Sequence, residues 1–255
     1  MRSQRQPFGL IAVALGSTSW LHQAHAWVGR MSVMSLSTLP AGAEGGERAL
    51  PVARGQLILG SKSLTRKTIV EEMGFTPLIR SADIDEASIG DRTANPADLV
   101  LQIGLAKAEA LLPALRTEAE SGALSTTLLL TGDQVVVHDG QVLEKPADRD
   151  EVRANIKKYA HSPCRTVGSA VLTDVTTGAQ VSGVDTAEIF FNEIPDDIVT
   201  MLCDEGTVMH CAGGLMVEHA LVQPYITKID GTIDSVMGLS KSLVDKLLEE
   251  IKQPP

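Results

Sequence analysis

Side chains able to do chemistry gather in a few short stretches. Leu128–Pro146 reads LLLTGDQVVVHDGQVLEKP. Asp133 stands where an apolar run, Leu128–Leu130, should leave the core. Lys145 precedes a proline, which pushes its backbone towards an extended form. Asp139-Gly140 is a strong two-residue hairpin signal, so Asp133 and Lys145 reach comparable depth on antiparallel neighbours and can face one cleft. A carboxylate beside a fixed ammonium suits chemistry on a phosphorylated substrate. A surface hairpin with solvated charges is the bland alternative.

Three further stretches carry charge in unusual places. Ser61-Lys62-Ser63 lies between a short strand and a helix, where free backbone N–H groups and the helix dipole can hold phosphate. Arg66 falls in the first turn of that helix, which disfavours a cation unless an anion is present; N-capping by Ser63 is the plainer reading. Asp83-Ile84-Asp85-Glu86 has three carboxylates in four residues. In a continued strand Asp83 and Asp85 share one face and Glu86 takes the other. Such a group can hold a hard divalent cation with water in the remaining positions, and a solvated turn accounts for the same residues. Lys107 lies at the edge of an apolar helical stripe, from which it either snorkels out or reaches into a cleft. Later, His210-Cys211-Ala212-Gly213-Gly214 precedes Glu218, and paired glycines permit close approach of backbone to a ligand.

The elements that must position these groups follow from periodicity. Gln56–Gly60 is a strand. A helix runs from about Leu64 to Met73, with Ile69, Val70 and Met73 apolar and Gly74 ending it. Phe75–Arg80 is a strand. A long helix runs from Pro96 to about Leu112, its buried stripe formed by Leu99, Ile103, Ala106 and Ala110, and Pro113 ends or bends it. After the central hairpin, Asp148 caps a helix of about Arg149–His161. Val167–Asp174 and Ala179–Phe191 form an antiparallel pair, joined by a turn at Thr176-Thr177-Gly178. A short helix at Pro195–Leu202, a strand at Tyr225–Ile229 and a closing helix at Ser240–Lys252 complete the chain, the last with Leu243, Leu247 and Ile251 facing the core. There is no internal repeat.

Composition narrows the function classes. The chain has 255 residues, 44% hydrophobic and 21% charged, with a formal net charge of −10 and no basic tract. That argues against binding a nucleic acid polymer, though a nucleotide needs only a local group of cations. Cys164, Cys203 and Cys211 have no metal or disulfide spacing. The first 43 residues hold Arg2, Arg5 and Arg30 but no Asp, Glu or Lys. Phe8–Leu21 is mostly apolar and Ala24-His25-Ala26 has the form of a cleavage site, as in a secretory signal peptide or an organelle presequence. The apolar stretch is too short and interrupted to span a bilayer. Pro40–Gly55 reads as a linker. Residues 1–54 are therefore expected to be a disordered leader and linker, and 55–255 the folded domain.

Taken in order, the segments resemble the Maf family of nucleotide pyrophosphatases from about Leu57 to Ile251. The matching motifs are Ser61-Lys62-Ser63-Leu64-Thr65-Arg66-Lys67, Asp85-Glu86, Lys107-Ala108, Asp133-Gln134-Val135-Val136, Lys145-Pro146, Ala212-Gly213 and Val236-Met237-Gly238-Leu239-Ser240. The departures are Lys67 for a second arginine, Thr65 where many members have Arg or Trp, and Ser240 for the usual proline.

The resemblance implies an α/β fold of the Maf/ITPase-like kind, an elongated, curved mixed sheet flanked by helices, with two lobes around a central cleft. It implies hydrolysis of a nucleoside triphosphate to the monophosphate and diphosphate with a divalent cation, Mg, Mn or Co. Residue by residue, Asp133 matches the proton acceptor, and Glu86 with Asp133 the metal side. Ser61, Arg66, Lys107 and Lys145 match the phosphate-binding set. Thr65, Gln134 and Glu218 match positions that vary with substrate. Gln134, Glu218 and His210-Cys211 look more like the branch taking 7-methyl-GTP than the branch taking dTTP and UTP, and a carboxylate, which only accepts hydrogen bonds, suits the N–H donors of a guanine edge. The resemblance implies a cytoplasmic protein, or an organelle-targeted or secreted one if the leader is genuine, and leaves room for a homodimer. A non-catalytic nucleotide-binding regulator of cell division is the alternative class, and it could dispense with Asp133.

Overall fold

The computed structural model describes residues 54–252; the leader and linker expected at 1–54 lie, apart from Arg54, outside them. Eight strands among the described residues form one mixed sheet. β1 (Gly55–Leu59) pairs in parallel with β2 (Phe75–Ile79) and with β3 (Leu128–Thr131). The connection from β1 to β2 is α1 (Leu64–Glu72), capped by Ser63. α2 (Pro96–Glu120) lies between β2 and β3 in the chain. β4 (Gln134–His138) and β5 (Gln141–Leu143) form the expected hairpin. Asp139 (φ 46°) and Gly140 (φ 77°) are both left-handed, as a two-residue turn matching strand twist requires.

The spine of the sheet is β6 (Cys164–Asp174) paired antiparallel with β7 (Gln180–Phe191), and β8 (Ile226–Asp230) adds to β7. β3 and β4 both pair with β6, β3 through Thr131↔Val171 and β4 through Gln134↔Gly168. The register is the same on both sides of Gly132-Asp133, so β3 and β4 are one strand interrupted without a slip. The close approach at the interruption requires glycine. A Cβ on Gly132 would sit 2.1 Å from the Ser169 carbonyl oxygen. The Asp133 N–H turns instead to the Ser169 hydroxyl (3.0 Å), while the Ser169 N–H donates to the Asp133 carbonyl (2.8 Å).

Strand alternation assigns the helices to faces. Leu57, Leu59, Leu130, Ala170 and Leu172 point to α1 and to the closing helix α5 (Lys241–Glu250), where they meet Ile69, Val70, Val244 and Leu247. Ile58, Leu129 and Val171 point to α2, against Ala108 and Leu115. α3 (Arg149–Tyr159) and α4 (Asp196–Glu205) pack at the other end, on a cluster of Val136, Tyr159, Ile189 and Leu202. The two ends of the sheet thus carry separate cores, and residues from both wall one cleft. Among the described residues no helix is long and apolar enough to cross a membrane.

Three local expectations are corrected. α2 runs through Pro113 to Glu120. The ring removes one hydrogen bond, whose orphaned carbonyl belongs to Glu109, an exposed residue that water can serve. Beyond it Leu115 is fully buried, and burying such a side chain stabilises by about 1.5–3 kcal/mol. The α2 stripe rotates away from the expected Ala106 and Ala110: Ala110 is exposed, and Val100, Gly104, Lys107 and Ala108 are buried. In α5 the fully buried face is Val244, Leu247 and Leu248, with Leu243 and Ile251 half-buried beside it.

Candidate active site

The cleft has a volume of about 890 Å³ and is lined by every candidate side chain from the sequence: Ser61, Thr65, Arg66, Glu86, Lys107, Asp133, Gln134, Lys145 and Glu218. At its centre is Asp133. It has the same strand parity as Val135 and Val137, which pack on α2, so its carboxylate is directed to the α2 side. Lys107, four residues on from the buried Ile103, lies on the inner face of that helix and is itself buried. Its Nζ donates to Asp133 Oδ1 at 2.9 Å and lies 3.0 Å from Glu86 Oε2. One ammonium thus bridges two carboxylates. Asp133 Oδ2 has no protein partner among the described residues.

The carboxylate group upstream is arranged differently from the strand expectation. Asp83–Asp85 is irregular, and the Asp85 side chain caps a single helical turn, Glu86–Ser88, by accepting from the Ala87 N–H (3.2 Å). Only Glu86 of the three lines the cleft. Among the described residues no three His, Cys, Asp or Glu side chains gather as a ready-made metal set. The chemistry of the pair Glu86 and Asp133 nevertheless fits a small hard cation, which is commonly held by one or two carboxylates with water and substrate phosphate oxygens in the other positions.

The β1–α1 loop caps its helix as expected and lines the cleft. Ser63 caps α1, accepting from the Arg66 N–H (3.3 Å), and shares a hydrogen bond with Thr65 (2.8 Å). Ser61 accepts from the Ser63 N–H (3.2 Å). Arg66, which the resemblance assigns to the phosphate-binding set, spends two of its nitrogens on backbone carbonyls. Its Nε donates to the Gly238 carbonyl (2.9 Å) and its Nη1 to the Gly132 carbonyl (3.0 Å). It therefore ties α1 to the strand break beside Asp133 and to the loop before α5. Nη2 has no protein partner among the described residues. Burial pulls the Arg66 pKa below its ordinary value, and the nearby Asp133 and Glu86 carboxylates push it back up.

The opposite wall carries Lys145, exposed at the rim, and Glu218. Burial raises the Glu218 carboxyl above its usual range, opposed by a backbone hydrogen bond and by His219. Cys211, also in the wall, has its thiol pushed up to about 12 by burial and by Glu218, so it stays neutral and inert at ordinary pH. Gln134 donates from Nε2 to the Ser235 carbonyl (2.8 Å), which fixes its amide at the cleft wall. The first of the paired glycines is packed against the protein's own side chains. A Cβ on Gly213 (φ 61°) would lie 2.4 Å from the Tyr159 hydroxyl. That hydroxyl donates to the Gly213 carbonyl (2.7 Å), and the Gly213 N–H donates to the Glu144 carbonyl (2.8 Å). Two cations of the cleft, Lys62 and Arg92, had no assigned role. Lys62 was visible in the serine loop, but no local pattern marks Arg92.

The family model for Maf-like protein matches residues 56–251. The chain belongs to the Maf-like family. It is 36% identical over 197 residues to a 7-methyl-GTP pyrophosphatase of Dictyostelium discoideum, covering 77% of this chain and 98% of that protein. It is 30% identical to a dTTP/UTP pyrophosphatase of Bdellovibrio bacteriovorus, covering 76% of this chain and 97% of the relative. It is also 30% identical to a nucleoside triphosphate pyrophosphatase of Streptomyces coelicolor, covering 79% and 93%.

Two departures from the Maf pattern have local explanations. Lys67 lies 3.6 Å from Glu71 on the outside of α1 and does not line the cleft, so this departure falls outside the cleft wall. Ser240 supplies the N-cap of α5, accepting from the Leu243 N–H (3.3 Å), a contact proline lacks. Thr65 lines the cleft with its hydroxyl held by Ser63.

Proposed function

We propose that this Maf-like protein hydrolyses a nucleoside triphosphate to the monophosphate and diphosphate, and that its preferred base is a 7-methylguanine. The observation that carries the reaction is the Asp133–Lys107–Glu86 constellation in a cleft walled by further cations. Asp133 orients a water and takes its proton through Oδ2 as the water attacks phosphorus, which is general-base work. The bond from that phosphorus to the bridging oxygen breaks, and the diphosphate leaves with the electron pair. Lys145 and Lys107 act as point charges on the phosphates, and Arg66 contributes Nη2 from a guanidinium already fixed by two carbonyls. A divalent cation on Glu86 and Asp133 would neutralise phosphate charge and stabilise the leaving group. The free N–H groups at the N-terminus of α1 add dipole attraction for the anion.

The base assignment rests on Glu218. Its carboxyl is held in a desolvated wall that disfavours its charged form. A 7-methylated guanine brings a positive ring and N–H donors, both of which reward an ionised carboxylate. The O2 and O4 of uracil and thymine are acceptors and gain nothing from a carboxylate. The relative in Dictyostelium discoideum carries the matching name, while those named for dTTP and UTP keep the second reading in view. The test is diphosphate release from 7-methyl-GTP, UTP and dTTP by purified wild type and Glu218→Gln. Preference for 7-methyl-GTP, reduced by the substitution, is expected. Preference for dTTP and UTP, unmoved by the substitution, would overturn the base assignment, and no release from any triphosphate would overturn the activity.

A further inference from the structure

Arg92 lies in the loop between the Glu86–Ser88 turn and α2 and lines the cleft. As an ion pair with Glu144 it would merit little notice: Nε is 3.2 Å from Glu144 Oε1, with the two side chains 24% and 56% exposed, and such pairs contribute weakly. Its other contacts are different in kind. Nη2 donates to the Glu86 carbonyl (2.7 Å), and Nη1 donates to the Ile89 carbonyl and, at 3.5 Å, to that of Gly90. The guanidinium sits inside the loop and gathers three of its carbonyls, adding to the Glu86 carbonyl a second donor beside the Ile89 N–H (3.3 Å) that closes the helical turn. Its fixed planar fork can meet several acceptors at once; a single lysine ammonium cannot reproduce the pattern.

The two ends of this network are the two walls of the cleft. On one side Arg92 fixes the backbone of Glu86, whose carboxylate meets Lys107. On the other it holds Glu144, whose own carbonyl is tied to Gly213 and whose neighbour is Lys145. We propose that Arg92 is a positioning residue for the reaction: it sets Glu86 at the distance from Asp133 that a divalent cation requires, and it holds that wall in register with the Glu144-Lys145 wall. It acts through Glu86, since each of its three guanidinium nitrogens already donates to a protein oxygen. The inference rests on the activity and metal side proposed above.

The test is the Mn²⁺ requirement of purified Arg92→Ala, Arg92→Lys and Glu144→Ala. Partners that orient a metal ligand typically change metal affinity by roughly 10- to 100-fold when lost. Both Arg92 variants should raise the Mn²⁺ concentration for half-maximal hydrolysis by that order, with much smaller changes in kcat and nucleotide KM at saturating Mn²⁺. Electron paramagnetic resonance titration of Mn²⁺, with a triphosphate analogue carrying a methylene bridge between the α and β phosphorus atoms, should give the same weakening without turnover. Methylguanidinium should partly restore Arg92→Ala, which a general loss of folding would not allow. Glu144→Ala keeps the loop contacts and should shift the requirement the same way by less, so the idea remains testable if the Arg92 variants fold poorly. Wild-type Mn²⁺ affinity in all variants that fold, or no shift in Glu144→Ala when the Arg92 variants do not, overturns the positioning role. Absence of metal-dependent hydrolysis in the wild type would overturn the activity reading instead.

Discussion

Lys107→Met removes the cation between two carboxylates while keeping an unbranched stem. Lys107 Nζ lies 2.9 Å from Asp133 and 3.0 Å from Glu86, with the three side chains 10%, 13% and 49% exposed. The Glu86 contact is half in water and contributes little. The Asp133 contact is buried, and removing one partner of a buried pair typically destabilises by about 3–5 kcal/mol, because the remaining charge is left uncompensated. For a domain of this size each kcal/mol shifts Tm by roughly 2–4 °C, so the variant in chelator should melt roughly 10 °C below wild type. The same geometry makes the ammonium a competitor for a divalent cation at Glu86 and Asp133. Without it, Mn²⁺ should bind in the absence of nucleotide at least ~10-fold more tightly, about 1.4 kcal/mol, and should restore much of the lost stability by linkage. The assay is a thermal melt in chelator and in Mn²⁺, paired with a Mn²⁺ titration by electron paramagnetic resonance. A variant that melts like wild type in chelator and binds Mn²⁺ no better would refute the view that Lys107 holds the place of a cation.

Other expectations follow from neighbouring contacts. Asp133→Asn keeps size and a hydrogen-bond acceptor for Lys107 but loses basicity and charge, so turnover should fall by roughly 100- to 10,000-fold and the melting temperature should fall by less than in Lys107→Met; near-normal turnover removes Asp133 as the base. Gly132→Ala forces a Cβ to within 2.1 Å of the Ser169 carbonyl oxygen, and overpacking of this kind costs about 1–3 kcal/mol or more. Urea unfolding should show it, with lower activity because Asp133 is displaced; an unchanged midpoint would mean that the strand break relaxes freely. Glu218 has a carboxyl pKa raised by burial in the folded protein, so wild type loses stability as pH rises through that raised value. Glu218→Gln should therefore be the more stable protein at neutral pH, with the advantage vanishing as pH falls below the ordinary carboxylate range. An advantage independent of pH would point to packing and not to charge.

Much of this could be read along the chain, because it depends on neighbours within a few residues. Ser63 and Asp148 cap their helices as their types and positions imply. Asp139-Gly140 makes the hairpin because few other pairs tolerate two positive φ angles. The order of motifs placed every candidate side chain on one cleft. What the sequence did not determine involves partners far along the chain. Arg66 is held by a carbonyl 172 positions away, and its fork is partly spent on scaffold for that reason. Pro113 looks like a helix end locally, yet the burial of Leu115 under β3 and β6 outweighs one missing hydrogen bond. Gly213 reads as room for a ligand, and the fold fills that room with Tyr159 from another helix. Arg92 carries no local signal at all, since its role depends on a loop closing around it and on Glu144, 52 residues on. Propensity and capping act through bonds and dihedrals that the sequence states directly; burial and charge pairing depend on which surfaces meet, and only the tertiary structure decides that.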